Sequence, residues 1–120
     1  MAYVDGYVLV LPKKNLKSYK KMAALGAKVW RKHGAIQYVE TVAEDLTAEG
    51  LLSYKKLLKL KPGETVVYSW IMFKSRAHRD RVNAKVMKDP AMMMAGMSQA
   101  TMPFEFKRMA YGGFATLVQA

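Results

Sequence analysis

Four stretches of the chain are dense in β-branched and aromatic residues and predict β-strands. Pro12 closes the first stretch, and the Pro62-Gly63 turn precedes the third, which has the clearest strand pattern. Two adjacent glycines, Gly112 and Gly113, predict a bend or bulge in the last stretch. The predicted strands are Tyr3 to Leu11, Ile36 to Val42, Glu64 to Phe73 and Arg108 to Val118.

Two further stretches have the spacing of amphipathic helices. The first runs from Leu16 to His33, with Asn15 as a favourable N-cap and Gly34 as a C-terminal stop. The second follows the N-cap residue Ser75 and runs to about Lys88, where an Asp-Pro pair ends it.

Two segments have weaker patterns. Leu46 to Lys61 combines helix-favouring leucine and lysine with Gly50 and an LKLK alternation, and we expect it to be irregular or extended. The methionine-rich stretch up to Thr101 predicts a short helix or a lid, because flexible thioether side chains form adaptable apolar surfaces. We expect a lid or dimer contact from Met87, Met92, Met93, Met94, Met97 and Met102.

The order strand, helix, strand, strand, helix, strand predicts an α+β fold of the ferredoxin-like βαββαβ type. In this fold a four-stranded antiparallel sheet carries two helices on one face. The other face should then be polar, yet the predicted strands are apolar on both sides, with Val8 and Trp70 alternating with Tyr7 and Ile71. We therefore expect a second copy to cover the open face, giving a homodimer packed sheet to sheet.

The chain has 120 residues, and we expect one domain spanning residues 1–120. It contains no cysteine, which excludes disulfide scaffolds and thiolate metal sites and agrees with a reducing cytoplasm. The sequence has no secretory signal pattern and no apolar run near the roughly 20 residues of a membrane span. We expect a cytoplasmic protein, and the sequence shows no metal-ligand cluster or phosphate loop that would predict a metal or a cofactor.

The charge balance is strongly basic, with 20 Lys and Arg against 9 Asp and Glu. On the first predicted helix the basic residues fall within an arc of about 120°, opposite Tyr19 and Trp30. This face is either solvated or a surface for nucleic acid or an acidic partner, and the lack of interleaved aromatics disfavours nucleic acid. Its members are Lys13, Lys14, Lys17, Lys20, Lys21, Lys28, Arg31 and Lys32.

Four segments resemble the YbaA-like family of small bacterial proteins, whose function is not established. They are YVDGYVLVLPKKNLKSYKKMA, HGAIQYVE, PGETVVYSWIMFKSRAHRDRVNAKVMKDP and MPFEFKRMAYGGF, and together they span nearly the whole chain. Departures lie in Leu46 to Lys61, in the methionine run at 92–94, and at Glu105-Phe106, where an Asp-Gly-like turn is expected. The resemblance implies the dimeric α/β-barrel superfamily, which includes cofactor-independent monooxygenases, lactone isomerases, haem-degrading enzymes and dye-decolorising peroxidases. Fold alone therefore says little about the reaction.

His33 lies on the apolar side of the first helix, where a half-buried imidazole needs a partner. Glu40 or Asp5 could provide that partner. The histidine is then either a structural residue or a general base.

Arg79 and Asn83 face the sheet when the second helix is wound at its normal pitch. A buried guanidinium requires an anion. Asp5 is the best candidate because it breaks the apolar pattern of the first strand, with Asp80 and Glu40 as alternatives. Arg79 is either half of a structural ion pair or a group that binds a ligand carboxylate.

The first function hypothesis is a pocket between sheet and helices for a small apolar or anionic molecule. Cofactor-independent oxygenation or isomerisation would suit it, because proton abstraction beside a carbonyl needs only a base in a dry site. His33 and Asp5 are the candidate catalytic residues. The candidate ligand-binding residues are Arg79, Asn83, Trp70, Tyr7, Trp30 and Met72.

The second hypothesis is a binding module without catalysis, which uses the basic first helix on nucleic acid or on an acidic protein. Such binding weakens steeply with salt, since each neutralised phosphate releases counterions.

Overall fold

The structure is a computed structural model that describes residues 2–94 and 102–120. The predicted strands and helices are all present, with ends that shift by a few residues. The strands are β1 (Tyr3–Pro12), β2 (Gln37–Val42), β3 (Glu64–Phe73) and β4 (Met109–Ala115). The helices are α1 (Leu16–Lys32), α2 (Tyr54–Leu57), α3 (Arg76–Lys88) and α4 (Pro90–Met94), with short 3₁₀ turns at Lys13–Asn15 and Phe106–Arg108. Met97 and the side chains of Met93 and Met94 lie outside the described residues.

The strands form one antiparallel sheet in the order β2-β3-β1-β4. Both long helices cover the same face, since Val29 of α1 and Val82 of α3 pack against Phe73 of β3. A second cluster lies beneath the first half of α1, where Ala23 packs on Leu9. The ferredoxin-like fold predicted from the element order is confirmed.

The prediction of a bend or bulge in the last strand is wrong. The pairing of β4 with β1 keeps one register from Met109 to Ala115, so each glycine has a single partner. Both positions instead require glycine because aromatic side chains lie over them. A Cβ at Gly113 would overlap the Tyr3 hydroxyl, and a Cβ at Gly112 would lie 3.2 Å from the Phe114 ring.

Residues 46–61 contain a single turn of helix, α2, which the expectation of an irregular or extended segment missed. Ser53 caps this turn by accepting a hydrogen bond from the Lys56 amide. Leu51 and Leu57, which flank and end α2, are exposed, so the turn buries no apolar stripe that periodicity could reveal.

Arg108 ties the loop after α2 to the sheet. Its guanidinium forms an ion pair with Glu64, at 2.5 Å between Nη1 and Oε2, and donates to the carbonyl oxygens of Leu58 and Lys59 at 3.3 Å each. Asn15 joins the start of α1 to the segment before β4. Its side chain does not cap α1 as predicted, and its amide instead donates to the Pro103 carbonyl oxygen at 2.9 Å.

The second face of the sheet carries neither of the two long helices, and α2 borders it only at one end, where Tyr54 lines a cavity with Val66 and Tyr68. Strand alternation places Val8, Trp70 and Met72 there, and its aromatic side chains are exposed by 46% at Tyr68 and by 61% at Phe114. The face is therefore apolar, as the alternation predicted, and it is open around Tyr68 and Phe114, whereas Val10 and Val66 at one end of it are buried. Among the described residues, no helix is long and apolar enough to cross a membrane.

Candidate functional site

A row of polar side chains crosses the helix-facing side of the sheet. The register aligns Glu40 with Ser69, Ser69 with Tyr7, and Tyr7 with Tyr111, one residue from each strand. Residues directly opposite in neighbouring strands lie within side-chain contact distance. The next row contains only apolar residues, Val42, Val67, Leu9 and Met109, so the polar row is a distinct band on the floor beneath the helices.

A cavity of about 250 Å³ lies over this band, between the sheet and α1. Its polar lining consists of the hydroxyls of Tyr7, Tyr19, Tyr38 and Ser69 and the carboxylate of Glu40. Most of the remaining lining consists of aromatic and methionine side chains. These side chains include Trp30 and Met22 of α1, Met87 of α3, Met92 of α4, and Met102, Phe104, Phe106 and Met109.

Glu40 holds two tyrosines at one end of the cavity. The Tyr19 hydroxyl donates to Oε1 and the Tyr38 hydroxyl to Oε2, both at 2.7 Å. Burial raises the pKa of Tyr19 and Tyr38 far above the ordinary value of 10.0, and the nearby Glu40 carboxylate raises both further. Both phenols therefore stay protonated and donate to Glu40. Gly26 leaves room for them, since a Cβ there would lie 3.0 Å from the Tyr38 oxygen.

Tyr7 stands in the middle of the floor. Burial raises its pKa well above the ordinary range, and the charge of Asp5 raises it further, so its hydroxyl also remains protonated. The Tyr7 ring contacts that of Tyr111 with 5.0 Å between centroids. The cavity floor thus continues into a second polar cluster.

This second cluster is built on Asp5, whose side chain is 0% exposed. Its Oδ1 accepts from Arg79 Nη1 at 2.7 Å and from the Tyr111 hydroxyl at 3.1 Å, and its Oδ2 accepts from Asn83 Nδ2 at 3.3 Å. The Asn83 carbonyl oxygen in turn accepts from Trp30 Nε1 at 3.0 Å. The cluster therefore fixes Trp30, which is one wall of the cavity.

The structure does not place Arg79 in the cavity. Its guanidinium pairs with Asp5 and with Asp80, at 2.7 Å in each case, and lies over the Tyr3 ring. These contacts match the predicted ion pair with Asp5 and leave the arginine outside the cavity lining. Asn83 is also outside the lining and acts on it through Trp30.

His33 does not meet Glu40 or Asp5, and both predicted partners are wrong. Its Nε2 lies 2.7 Å from Asp89 Oδ2, and Lys32 Nζ lies 3.2 Å from the same oxygen. Asp89 also accepts from the Ala91 amide at 2.9 Å, so it joins the end of α1 to the start of α4. The imidazole follows the last turn of α1, and the cavity lies further back along that helix.

Two of the predicted pocket walls lie on the wrong side of the sheet. Trp70 and Met72 alternate with Ser69, Ile71 and Phe73 along β3, so their side chains point to the open face. The Trp70 indole donates to Gln37 there at 3.0 Å. Of the predicted walls, Tyr7, Trp30 and Trp70 border the cavity, together with part of the methionine cluster, and Met72 does not. Trp70 borders it from its place in β3, since its indole points to the other face.

The basic face of α1 is exposed along its whole length. Lys32 pairs with Asp89, and Arg31 donates to the carbonyl oxygens of Ala35 and Ile36. Its use as a binding surface stays a prediction. In the described part of the chain, no three acidic or histidine side chains are grouped as a metal site would require.

Glu40, Tyr19 and Tyr38 are the site residues that the sequence analysis did not bring together. The signal was present in β2, where Glu40 alternates with Thr41 and shares a face with Tyr38 and Val42. A carboxylate at a core-facing strand position is unusual and calls for a partner or a function.

The strand order and the two helices on one face define the ferredoxin-like class, and solved structures share this fold. An uncharacterised NIPSNAP domain protein from Burkholderia xenovorans superposes with a TM-score of 0.57 at 9% identity, covering 98% of this chain and 97% of that one. A dimeric ferredoxin-like protein from an uncultured marine organism gives 0.56 at 10% identity over the full length of both chains. A candidate antibiotic biosynthesis monooxygenase from Nitrosomonas europaea gives 0.55 at 11%, covering 97% and 90%.

The chain belongs to the family described as "Protein of unknown function (DUF1428)", whose model matches residues 2–106. The Escherichia coli K12 protein named "Uncharacterized protein YbaA" is 39% identical over 118 residues, which cover 98% of each chain. A Shigella flexneri protein of the same name matches equally well. These relatives confirm the resemblance found in the sequence.

Replacing Arg79 with methionine should destabilise the protein. The variant R79M leaves the Asp5 carboxylate buried without a counter-charge, which typically costs about 3 to 5 kcal/mol in the free energy of unfolding. Urea unfolding measures the loss, and R81M, which alters an exposed arginine of the same helix, is the matched control. Equal stability of R79M and R81M would contradict the buried pair, while D5L combined with R79M should regain much of the loss.

The Asp89 contacts should make stability depend on pH in the acid range. The pKa of Asp89 is lowered from 3.8 to about 2, chiefly by the hydrogen bond with His33 and also by the Ala91 amide and Lys32. A lowered folded-state pKa stabilises the fold above the ordinary pKa, and this contribution is lost as the pH falls through about 2. The melting temperature of D89N should therefore fall below that of the wild type at neutral pH.

The difference in melting temperature between wild type and D89N should shrink between pH 4 and pH 2, roughly the interval between the two pKa values. E44Q, at an exposed position, is the control and should track the wild type throughout. If the difference in melting temperature between wild type and D89N stayed constant down to pH 2, the contribution of Asp89 to stability would not depend on its charge.

Proposed function

We propose that this protein binds a small, neutral, mostly apolar molecule in the cavity between the sheet and α1. The observation that carries the proposal is the lining, in which aromatic and methionine side chains surround a single band of hydroxyls and one carboxylate. Ligand sites combine an apolar wall with a few convergent polar groups in this way.

The size of the cavity limits the ligand. An apolar cavity of about 150 Å³ holds benzene, and this one measures about 250 Å³. One substituted ring, or an aliphatic molecule of similar bulk, fits the available space.

The charge of the site favours a neutral ligand. Glu40 is the only formally charged residue among the described residues of the lining. Arg79, which was expected to receive a ligand carboxylate, is already paired with Asp5 and Asp80. The anionic ligand of the first hypothesis is therefore not part of this proposal.

Proton transfer is the chemistry that such a site supports. A base in a cavity lined mainly by apolar side chains can remove a proton beside a carbonyl, and a neighbouring hydroxyl can donate to the oxygen that becomes negative. This step is common to cofactor-independent isomerisation and oxygenation. Tyr7 and Ser69 supply hydroxyls beside Glu40, whereas His33 lies outside the cavity. At 11% identity the likeness to the Nitrosomonas europaea protein supports the fold alone.

Filling the cavity should abolish binding without unfolding the protein. Toluene is a suitable neutral probe, and it should raise the melting temperature of the wild type by binding only the folded state. In M22W the indole replaces a half-buried cavity wall on α1, and the shift with toluene should disappear. K21W, at the neighbouring exposed position, should keep the wild-type shift. A shift of equal size in M22W would place the binding elsewhere.

We propose further that two copies pack through their open sheet faces. An apolar face with Tyr68 and Phe114 exposed supports this, because contiguous apolar patches of this kind usually mark an interface. The structural likeness to a protein described as dimeric also supports it.

Sedimentation equilibrium at low micromolar concentration should give twice the chain mass of 13.5 kDa. Y68K, which puts a charge on the open face, should give the mass of one chain. L117K is the control, since Leu117 is exposed beyond the end of β4. A wild-type mass of 13.5 kDa would refute the dimer.

A further inference from the structure

We infer that Glu40 determines which ligands the cavity accepts, by receiving a hydrogen bond from a neutral O–H or N–H group of the ligand. The class of ligand is then a small apolar molecule with one hydrogen-bond donor, of which a phenol is the simplest example. This inference rests on the proposed function and adds the chemical group that the cavity recognises.

The described contacts of Glu40 leave part of its acceptor capacity unused. An ionised carboxylate offers about four acceptor positions on its two oxygens. The hydroxyls of Tyr19 and Tyr38 occupy one on each oxygen, and the residue also lines the cavity. A further donor can therefore reach the carboxylate without displacing either tyrosine.

The two tyrosine hydrogen bonds fix the direction of the carboxylate. Tyr19 belongs to α1 and Tyr38 to β2, so Glu40 is held from the helix and from its own strand. Its cross-strand neighbour Ser69 lies beneath the cavity. A ligand donor at Glu40 thus places the apolar remainder of the molecule toward Trp30 and the methionines.

The charge of Glu40 is not cancelled by an ion pair. None of the described basic side chains comes within 4.0 Å of it, and its hydrogen-bond partners Tyr19 and Tyr38 are neutral donors. Lys20 lines an outer groove that Glu40 also borders, and this groove does not include Trp30 or Tyr7. Within the cavity the carboxylate therefore favours a donor and repels an anion.

Glu40 also discriminates against ligands without a donor. Glu40 is half-buried, and a ligand that shields it from water without offering a donor is penalised, so an ether should bind less well than the alcohol. Hydrogen bonds to charged groups are about twice as strong as those between neutral groups, which makes this difference measurable.

Calorimetric titration of the intact protein with phenol, anisole and toluene tests the inference. We expect phenol to bind at least tenfold more tightly than anisole, with toluene close to anisole. In E40Q, which keeps the shape of the side chain and removes its charge, the preference for phenol should fall severalfold. E44Q is the control and should keep the wild-type ratio.

A coloured phenol gives a second readout that needs only the wild-type protein. The phenolate of 4-nitrophenol absorbs visible light and the neutral phenol does not, so binding of the neutral form should remove visible absorbance at constant pH. Stronger visible absorbance on binding would show that the cavity prefers the anion and would overturn the inference.

These measurements distinguish failure of donor selection by Glu40 from failure of ligand binding in the cavity. Equal binding of phenol, anisole and toluene in the wild type would refute the role of Glu40 and leave the cavity as a binding site. Binding of none of the three would refute the proposed function. A phenol preference that persists in folded E40Q would assign the selection to another group.

Discussion

The buried carboxylate of Asp5 is the constraint on which the arrangement of the other elements depends. A fully enclosed charge is costly unless it is paired and hydrogen-bonded. Asp5 obtains its partners from two elements, with Arg79 and Asn83 on α3 and Tyr111 on β4. Asn83 extends the network to Trp30 on α1. Sliding or rotating α3 would uncover the charge, so one acidic residue fixes the position of both helices above the sheet.

The two carboxylates on the helix-facing side of the sheet have opposite surroundings. Asp5 forms an ion pair with an arginine, which compensates its negative charge and gives the carboxylate a structural role. In the described part of the chain Glu40 receives hydrogen bonds only from two tyrosine hydroxyls, which satisfy part of its acceptor capacity and leave its charge in place. The difference separates a group that holds the fold together from a group that remains available to a ligand.

The sequence predicted the elements well, because strand and helix periods are local properties. It also predicted the contact of Arg79 with Asp5, since helix winding places the arginine toward the sheet and Asp5 is the one acid in an apolar strand. The partner of His33 was harder to predict, because the direction of the imidazole depends on how the chain turns after α1. That turn brings it to Asp89, a residue 56 positions away.

The candidate site was predicted only in part, because it depends on the alignment of strands that are distant in sequence. Tyr7, Ser69 and Glu40 form one row only when β1, β3 and β2 pair in the observed register. Trp70 and Met72 illustrate the same dependence, since a shift of one residue along a strand exchanges the two faces. Composition and periodicity do not contain this information.

The contacts of Arg108 have a consequence for how the family can vary. The guanidinium holds the carbonyl oxygens of Leu58 and Lys59 and the carboxylate of Glu64, so the chain between them is anchored at both ends. In the loop between β2 and α2, where Leu51 is exposed, the described hydrogen bonds reach the sheet only from the first residue, Ala43, whose amide donates to the Val66 carbonyl oxygen. Insertions and deletions in evolution should therefore accumulate between β2 and α2, where the loop can change length without disturbing the sheet.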